Sequence, residues 1–299
     1  MRTLAILAFA LWTGCAAAAA GVSATDANGE RIELGAPARR IVSLAPHATE
    51  LLFAAGAGEK VRGVLSPADW PPQAARLPRV GDANALDLER IVALAPDLAV
   101  AWPYLAPAQL ERLRALGIPI FVTDPHTPEA IAADIEKLGA LAGTAEVAAE
   151  AAGAFRAKLA ALRERARDGT RVPVFYEIWN QPLYTIGGGH LISAAIELCG
   201  GENVFALLAL PAPQVSVESV LAAAPAAIVA GTDDALRPAW LDEWRRWRSI
   251  PAVEHGNLFV VDANLLHRAS PRFVDGAAQL CAALEQARAN LRRQRRSPG

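Results

Sequence analysis

The sequence predicts an α/β protein of two lobes, each built on a parallel sheet, joined by one long rigid α-helix. Strand-like and helix-like segments alternate through most of the chain, which is the pattern of a parallel sheet covered by helices. Residues 144–169 are rich in good helix formers, and only Gly153 interrupts them weakly before Gly169. Residues 86–101 and 215–230 align without gaps, which indicates that one αβ unit is repeated.

The N-terminus has the features of a secretory signal peptide over residues 1–20. Arg2 supplies a positive charge, the segment LAILAFALW is apolar, and small residues up to Ala20 offer a cleavage site. The apolar segment is too short to span a bilayer as a helix. We therefore expect export to the periplasm, with lipidation of Cys15 as the alternative to cleavage near Ala20.

The first lobe is expected at 38–143, after a lead-in hairpin at 21–37 in which Asn28-Gly29 favours a tight turn. Its strands and helices then alternate, and Pro96 and Gly117 end the second and third helices. The strands are predicted at 40–44, 61–65, 97–102 and 118–124, and the helices at 49–56, 87–95 and 106–116.

The connecting helix is predicted over 144–169, and a strand signal from Val172 then opens the second lobe at 170–290. The repeat gives both lobes a short helix, a proline and a strand, with Glu89 and Glu218 at the same step. The basic segment at 291–299 is expected to fray as a tail. Trp240, Trp244 and Trp247 recur at helical spacing, which favours packing on one helix face.

Composition and net charge argue against a disordered chain and against a nucleic-acid-binding protein. The 299 residues are 53% hydrophobic and 20% charged, which indicates a folded chain, and the net charge of -2 gives no reason to expect a nucleic-acid partner.

Removal of the signal peptide would leave two cysteines, Cys199 and Cys281. An even count outside the cytosol predicts a disulfide, with two buried thiols as the alternative.

The sequence contains none of the common catalytic motifs: no G-x-S-x-G elbow, no phosphate-binding P-loop and no H-E-x-x-H. The five histidines lie neither at i,i+4 spacing nor near a cysteine, so we expect no pre-formed metal site. We therefore expect neither an enzyme nor a catalytic cofactor.

Polar and aromatic residues follow the predicted strands, where open α/β sheets bind their ligands. His47 comes directly after the first strand, in RIVSLAPHATELLFAAG, and Trp102 and Tyr184 also lie at strand ends. We expect His47 to reach a cleft between the lobes. A polar contact with the ligand, axial coordination of a metal in that ligand, and catalysis are the three roles considered, in that order. Axial coordination would need a neutral imidazole, so affinity would fall as the ring protonates near pH 6.

Five segments are similar to those of one family: RIVSLAPHATELLFAAGA, LERIVALAPDL, ELCGGENVF, PQVSVESVLAAAPAAIV and RASPR. The chain resembles the helical-backbone (class III) periplasmic binding proteins, which serve ABC importers of cobalamin, haem and iron chelates. The similarity covers nearly the whole chain after the signal peptide and is greatest to the cobalamin-binding branch. The resemblance implies two Rossmann-like lobes bridged by one helix.

The resemblance also implies roles for individual residues. Glu89 and Glu218 would dock onto arginines of the membrane permease, and Cys199 would pair with Cys281. The chain would be a monomer. The implied ligand-binding residues are Pro46, His47, Pro67, Trp102, Tyr184, Asn264, His267 and Arg268.

The resemblance therefore implies a receptor that captures cobalamin or a related corrinoid and delivers it to the permease. Pro67, Ala83 and Ala212 stand where the cobalamin binder has aromatic residues, so a precursor corrinoid is open as the ligand. The alternatives are haem, with His47 or Tyr184 as axial ligand, then an iron siderophore, and a cryptic enzyme as the remote one.

Overall fold

The structure, a computed structural model, describes residues 21–167, 169–233 and 237–296, with side chains given as far as residue 293. The predicted signal peptide at 1–20, including Cys15, lies outside these ranges. Within them, no helix combines the length and the apolar character needed to cross a membrane.

The lead-in is a two-stranded antiparallel hairpin of β1 (Val22–Thr25) and β2 (Arg31–Leu34). Its turn forms because Asp26 accepts hydrogen bonds from the backbone of the residues that follow, and because Gly29 adopts a φ of 79°. The second oxygen of Asp26 accepts from the backbone N–H of Val122, which ties the hairpin to the first lobe.

The first lobe contains a parallel sheet of four strands in the order β4-β3-β5-β6. All four predicted strands form. The strands are β3 (Ile41–Ser43), β4 (Val61–Val64), β5 (Leu98–Ala101) and β6 (Ile120–Val122). The helices are α1 (Pro46–Ala54), α2 (Leu88–Ala93), α3 (Pro107–Ala115) and α4 (Pro128–Ala142), with short 3-10 helices at Gly58–Lys60 and Ala74–Arg76.

Helix α1 corrects one predicted boundary. The sequence predicted a helix from residue 49, whereas α1 begins at Pro46, because proline at the first position presets φ and needs no hydrogen bond there. His47 therefore belongs to the first turn of the helix and not to the loop before it.

The predicted connecting helix is α5 (Ala145–Ala166), which packs against α4 of the first lobe and against α6 (Leu191–Leu198) and α11 (Phe273–Arg296) of the second. Its buried residues recur every three or four positions, as one stripe of a helix requires. Gly139 of α4 lets the two helices approach closely, since a Cβ there would lie 2.2 Å from that of Ala148.

The second lobe contains another four-stranded parallel sheet, in the order β10-β7-β11-β12. These strands are β7 (Val172–Glu177), β10 (Gly201–Asn203), β11 (Ala227–Thr232) and β12 (Leu258–Asp262), and the short strands β8 (Trp179–Asn180) and β9 (Leu183–Tyr184) pair separately. The remaining helices are α7 (Val217–Ala223), α8 (Ala239–Asp242), α9 (Pro251–Glu254), α10 (Ala263–Leu266) and a 3-10 helix at Glu243–Arg246.

The internal repeat appears in both topology and backbone geometry. In each lobe the first strand lies between the second and third, and the fourth follows at the edge. Among the described residues, Ala95 and Ala224 are the two non-glycine residues with positive φ, both at 45°, and they hold the same position in the repeat. The two-lobed fold predicted from the sequence is therefore confirmed.

Two expectations about the second lobe need correction. Helix α11 continues to Arg296, into the segment expected to fray at 291–299, because half-buried Leu291 packs against the core. Trp240 lies on α8 and Trp244 on the following 3-10 helix, so the three tryptophans do not share one helix face. Residues 297–299 lie outside the described ranges.

The predicted disulfide is present in the structure. Cys199 follows the last turn of α6, Cys281 lies within α11, and their sulfur atoms are bonded. Both residues are buried, so the bond crosslinks two packed helices inside the second lobe.

Candidate ligand site between the lobes

A cavity of about 310 Å³ lies where the two lobes meet. Loops that follow β3, β5 and β6 provide its wall in the first lobe, as expected for ligand sites at the carboxyl ends of parallel strands. The first lobe contributes Pro46, His47, Trp102, Tyr104, Asp124, Pro125 and His126. The second contributes His190, Leu191, Pro211, His267, Arg268 and Ala269.

His47 is buried against this cavity. It is 8% exposed, and its ring lies 5.8 Å from that of Trp102. Burial lowers the pKa of His47 to about 4, so the imidazole is neutral at neutral pH. Within the described part of the chain, His47 Nε2 and Trp102 Nε1 are buried atoms without a hydrogen-bond partner. A ligand in the cavity could satisfy such atoms.

Three more histidines line the cavity, and each has a polar partner. His126 Nε2 lies 3.0 Å from Asp124 Oδ2, and His267 Nε2 lies 2.8 Å from the hydroxyl of Tyr176. His190 Nδ1 accepts a hydrogen bond from the N–H of Ile192, which caps α6.

The buried imidazoles of His47, His190 and His267 form a polar but uncharged surface at neutral pH. Burial lowers the pKa of His190 to about 4, helped by the nearby His267 and His126, and burial also lowers the pKa of His267. No group of three or more His, Cys, Asp or Glu side chains among the described residues is arranged to hold a metal ion.

An ion-pair cluster of Glu50, Asp69, Arg268 and Arg272 joins the lobes beside the cavity. Arg268 donates to both oxygens of Asp69, at 2.6 and 3.1 Å, and to Glu50 at 3.3 Å. Arg272 donates to the two oxygens of Glu50 at 2.8 and 2.6 Å. Hydrogen bonds from Arg268 hold the pKa of Asp69 below its ordinary value. The charge of Arg268 is thus already paired in this structure.

Five of the eight ligand-binding residues implied by the sequence line the cavity: Pro46, His47, Trp102, His267 and Arg268. Asn264 lies behind that wall, where its Oδ1 accepts from Arg268 at 3.1 Å. Pro67 and Tyr184 are not among the lining residues; Tyr184 pairs with Trp179 between β9 and β8.

Sequence reasoning did not single out eight of the residues that line the cavity. Three of these eight, Asp124, Pro125 and His126, could have been predicted from the sequence, because they follow β6 directly, as Trp102 follows β5. Tyr104 packs edge-on against Trp102 at 5.4 Å, a contact that no sequence spacing indicates. The others were Tyr104, His190, Leu191, Pro211 and Ala269.

Glu89 and Glu218 occupy matching places in the two lobes, away from the residues that line the cavity. Each is exposed in the first turn of its helix. Glu89 lies two residues after Asp87, which caps α2, and Glu218 lies two residues after Ser216, which caps α7. The backbone and the Ser216 hydroxyl lower the pKa of Glu218 by hydrogen bonding. Both carboxylates are therefore available to a partner surface.

Comparison with known proteins gives matches that span both lobes. The model of a family described as periplasmic binding protein matches residues 41–265. The chain is 37% identical over 253 residues to the vitamin B12-binding protein of Vibrio campbellii, an alignment that covers 84% of this chain and 91% of the relative. It is 39% identical over 249 residues to the vitamin B12-binding protein of Yersinia pestis, covering 82% and 85%.

Solved structures give the same result. The crystal structure of the periplasmic vitamin B12 binding protein BtuF of Vibrio cholerae matches with a TM-score of 0.75 and 38% identity, covering 84% of this chain and 98% of that one. The periplasmic heme-binding protein RhuT from Roseiflexus sp. matches with a TM-score of 0.72 and 27% identity, covering 83% and 98%.

Proposed function

Because the chain belongs to the periplasmic binding protein family, we propose that it is an exported receptor that captures cobalamin or a related corrinoid between its lobes and delivers it to an ABC-type inner-membrane importer. The observation that carries the proposal is the cavity of about 310 Å³ that both lobes line with rings and neutral polar groups. The relatives named vitamin B12-binding proteins support the choice of ligand. We propose a monomeric periplasmic protein without a catalytic step.

The lining matches the chemistry of a corrinoid. A corrin ring is large, flat and partly apolar, and amide side chains surround it. The rings of Trp102 and Tyr104 and the prolines of both lobes offer apolar contact area, which stabilises such a ligand by burial. The neutral imidazoles can exchange hydrogen bonds with amides, and the unpartnered Nε2 of His47 is the first candidate.

The size of the cavity bears on how a corrinoid would sit. A volume of about 310 Å³ is at the lower end of the range for small-molecule sites. A complete cobalamin, with its nucleotide loop, would therefore extend beyond the cavity toward solvent or require the lobes to separate further. A single helix, α5, connects the lobes and packs against both, so we expect small rather than wide hinge motion.

Haem is the second candidate, favoured by the four histidines that line the cavity and by the neutral, unpartnered Nε2 of His47. Charge argues against it. Haem has two propionates, whereas Arg268 is the single Arg or Lys among the lining residues and is already bonded to Asp69. The same shortage of free positive charge disfavours an anionic ferric siderophore.

Delivery of the ligand to the importer would use the exposed carboxylates at equivalent positions in the two lobes. Glu89 and Glu218 stand in equivalent first turns, so both lobes would present a negative charge to one partner surface. We propose that they meet arginines of the permease. Exposed charges of this kind contribute little to folding, which leaves them free for recognition.

Spectroscopic titration of the purified protein with cobalamin, cobinamide and haemin tests the ligand assignment. We expect tighter binding of the two corrinoids than of haemin. His47→Ala distinguishes its two roles: if the imidazole only donates or accepts a hydrogen bond, the bound spectrum stays unchanged and affinity falls by about 1 kcal/mol. A shifted spectrum would assign His47 as an axial ligand. Preferential binding of haemin would overturn the corrinoid proposal.

A further inference from the structure

A second cavity, of about 260 Å³, lies within the second lobe and shares no lining residue with the cavity between the lobes. Its lining includes the buried carboxyl group of Glu177 and three indole rings, from Trp240, Trp244 and Trp247. The proposed function does not use any of these residues.

Glu177 is a buried carboxyl group that faces this cavity. It lies at the carboxyl end of β7 and is 1% exposed. Its Oε2 accepts a hydrogen bond of 2.8 Å from the indole N–H of Trp244, and no described residue donates to its other oxygen. That second oxygen is free to accept a donor from a ligand.

The tryptophans give the cavity fixed aromatic walls. Trp244 is 6% exposed and is held edge-on against Phe175 at 5.6 Å, while Trp240 and Trp247 are half-buried. The guanidinium of Arg246 already lies 5.7 Å from the centre of the Trp247 ring. A cation is thus attracted to at least one ring face at the mouth of this cavity.

We propose that this second cavity binds a small organic cation, a guanidinium or an alkylammonium, with Glu177 as counter-ion and the tryptophan rings as walls. A carboxylate without a basic partner and electron-rich indole faces both attract positive charge in a partly desolvated site. Anions are disfavoured, because Arg246 donates to Glu243 at 3.3 Å within the lining and Glu177 is left as the charge without a basic partner. The proposal rests on the second lobe alone and is independent of the corrinoid assignment.

The affinity for a cation should rise with pH. Burial raises the pKa of Glu177 to about 7, with a smaller contribution from the negative charge of Glu243, while the Trp244 hydrogen bond acts in the opposite direction. The charged lining residues besides Glu177 are Glu243 and Arg246. With a pKa of about 7, the ionised fraction of Glu177 rises about tenfold between pH 6 and pH 8.

The test uses methylguanidinium chloride as the cation and methylurea as its neutral isostere. Both are titrated into the protein carrying ¹⁵N-labelled tryptophan, with the indole N–H signals as the readout. We expect methylguanidinium to shift the Trp244 signal saturably, about tenfold more tightly at pH 8 than at pH 6. Methylurea should leave the signal in place.

Variants locate the site. Glu177→Gln keeps an acceptor for Trp244 and should weaken methylguanidinium binding about tenfold at pH 8, whereas the exposed Glu202→Gln should not. Arg246→Gln removes a competing cation and should tighten binding about threefold, against no change in Arg248→Gln.

Two results would overturn the proposal. One is equal response to methylguanidinium and methylurea, which would mean that charge is not recognised. The other is an affinity for methylguanidinium that is the same at pH 6 and pH 8. The pH comparison uses the unaltered protein, so it decides the question even if Glu177→Gln does not fold.

Discussion

His47 lies in the first turn of α1, buried against the cavity where the two lobes meet. Its position after a strand correctly pointed to the region between the lobes, because strand ends line the ligand crevice of parallel sheets. Its burial could not be read from the sequence, since the covering residues come from distant loops. The sequence also suggested that the ring would titrate near pH 6, whereas burial lowers its pKa to about 4.

The buried imidazole of His47 makes folding depend on pH. Because its pKa is lower in the folded chain than the ordinary 6.5, the unfolded chain binds the proton first, and stability falls as pH drops from 6.5 toward 4. We expect the loss from this residue to be about 2 kcal/mol between pH 7 and pH 5. In urea unfolding, the stability of His47→Gln should fall between pH 7 and pH 5 by about 2 kcal/mol less than that of the native chain.

A matched control is available in the same cavity. His126 is more than half exposed, and His126→Gln controls for the loss of an imidazole that is not buried. If His47→Gln and His126→Gln lose stability equally between pH 7 and pH 5, the buried neutral state of His47 is wrong.

At the scale of secondary structure, the contact between α1 and the segment before α11 holds the lobes together. Glu50 is 3% exposed and receives hydrogen bonds from Arg268 and Arg272 of the other lobe. Removing one member of a buried ion pair leaves uncompensated charge. We therefore expect Glu50→Gln to lower the free energy of unfolding by about 3 kcal/mol, measured by chemical denaturation.

The exposed Glu59 is the control for this substitution. Glu59→Gln should change the free energy of unfolding by less than about 0.5 kcal/mol. Equal stability of the two variants would mean that the cluster of Glu50, Asp69, Arg268 and Arg272 does not stabilise the folded chain.

The bond between α6 and α11 has a separate effect on stability. It joins residues 82 positions apart, so the chain-entropy model gives a stabilisation of about 4 kcal/mol. Replacing both Cys199 and Cys281 by serine should lower the midpoint of denaturant unfolding accordingly. A midpoint equal to that of the oxidised native chain would contradict this.

The elements differ in how well their sequences predicted them. The long helix α5 followed from its composition, and the hairpin from Asn28-Gly29. Helix α4 was not predicted, although Thr127 caps its start and Gly143 ends it with a φ of 69°. These capping residues are visible in the sequence. The segment lies between β6 and the more strongly helical sequence of α5, however, and only α5 was predicted as a helix.

For the whole molecule, the repeated lobe places Glu89 and Glu218, the proposed docking residues, at equivalent positions. If these residues dock onto a basic permease surface, Glu89→Lys together with Glu218→Lys should abolish transport in a reconstituted importer, because both lobes would then repel that surface. Ligand affinity and thermal stability should stay unchanged, since both residues are exposed and lie outside the cavity.

The control for docking is a second pair of exposed glutamates. Glu59→Lys together with Glu202→Lys makes the same change in net charge at other sites, and this variant should transport normally. Normal transport by the Glu89 and Glu218 variant would exclude the docking role.

The candidate site was predictable only in part, for a reason that belongs to the whole fold. Strand ends can be located from sequence, so Trp102 and His47 were found. The joining of Arg268 to Glu50 and Asp69 depends on how the two lobes face each other, and no local pattern encodes that.

The central claim is that a corrinoid binds between the lobes, and calorimetric titration of cobalamin into two tryptophan variants tests it most directly. Trp102 lines the cavity, whereas Trp179 is 58% exposed and lies outside its lining. We expect one cobalamin per chain, an affinity about tenfold weaker in Trp102→Ala, and no change in Trp179→Ala. Absence of binding of both cobalamin and cobinamide, or equal affinities in the two variants, would contradict the proposed function.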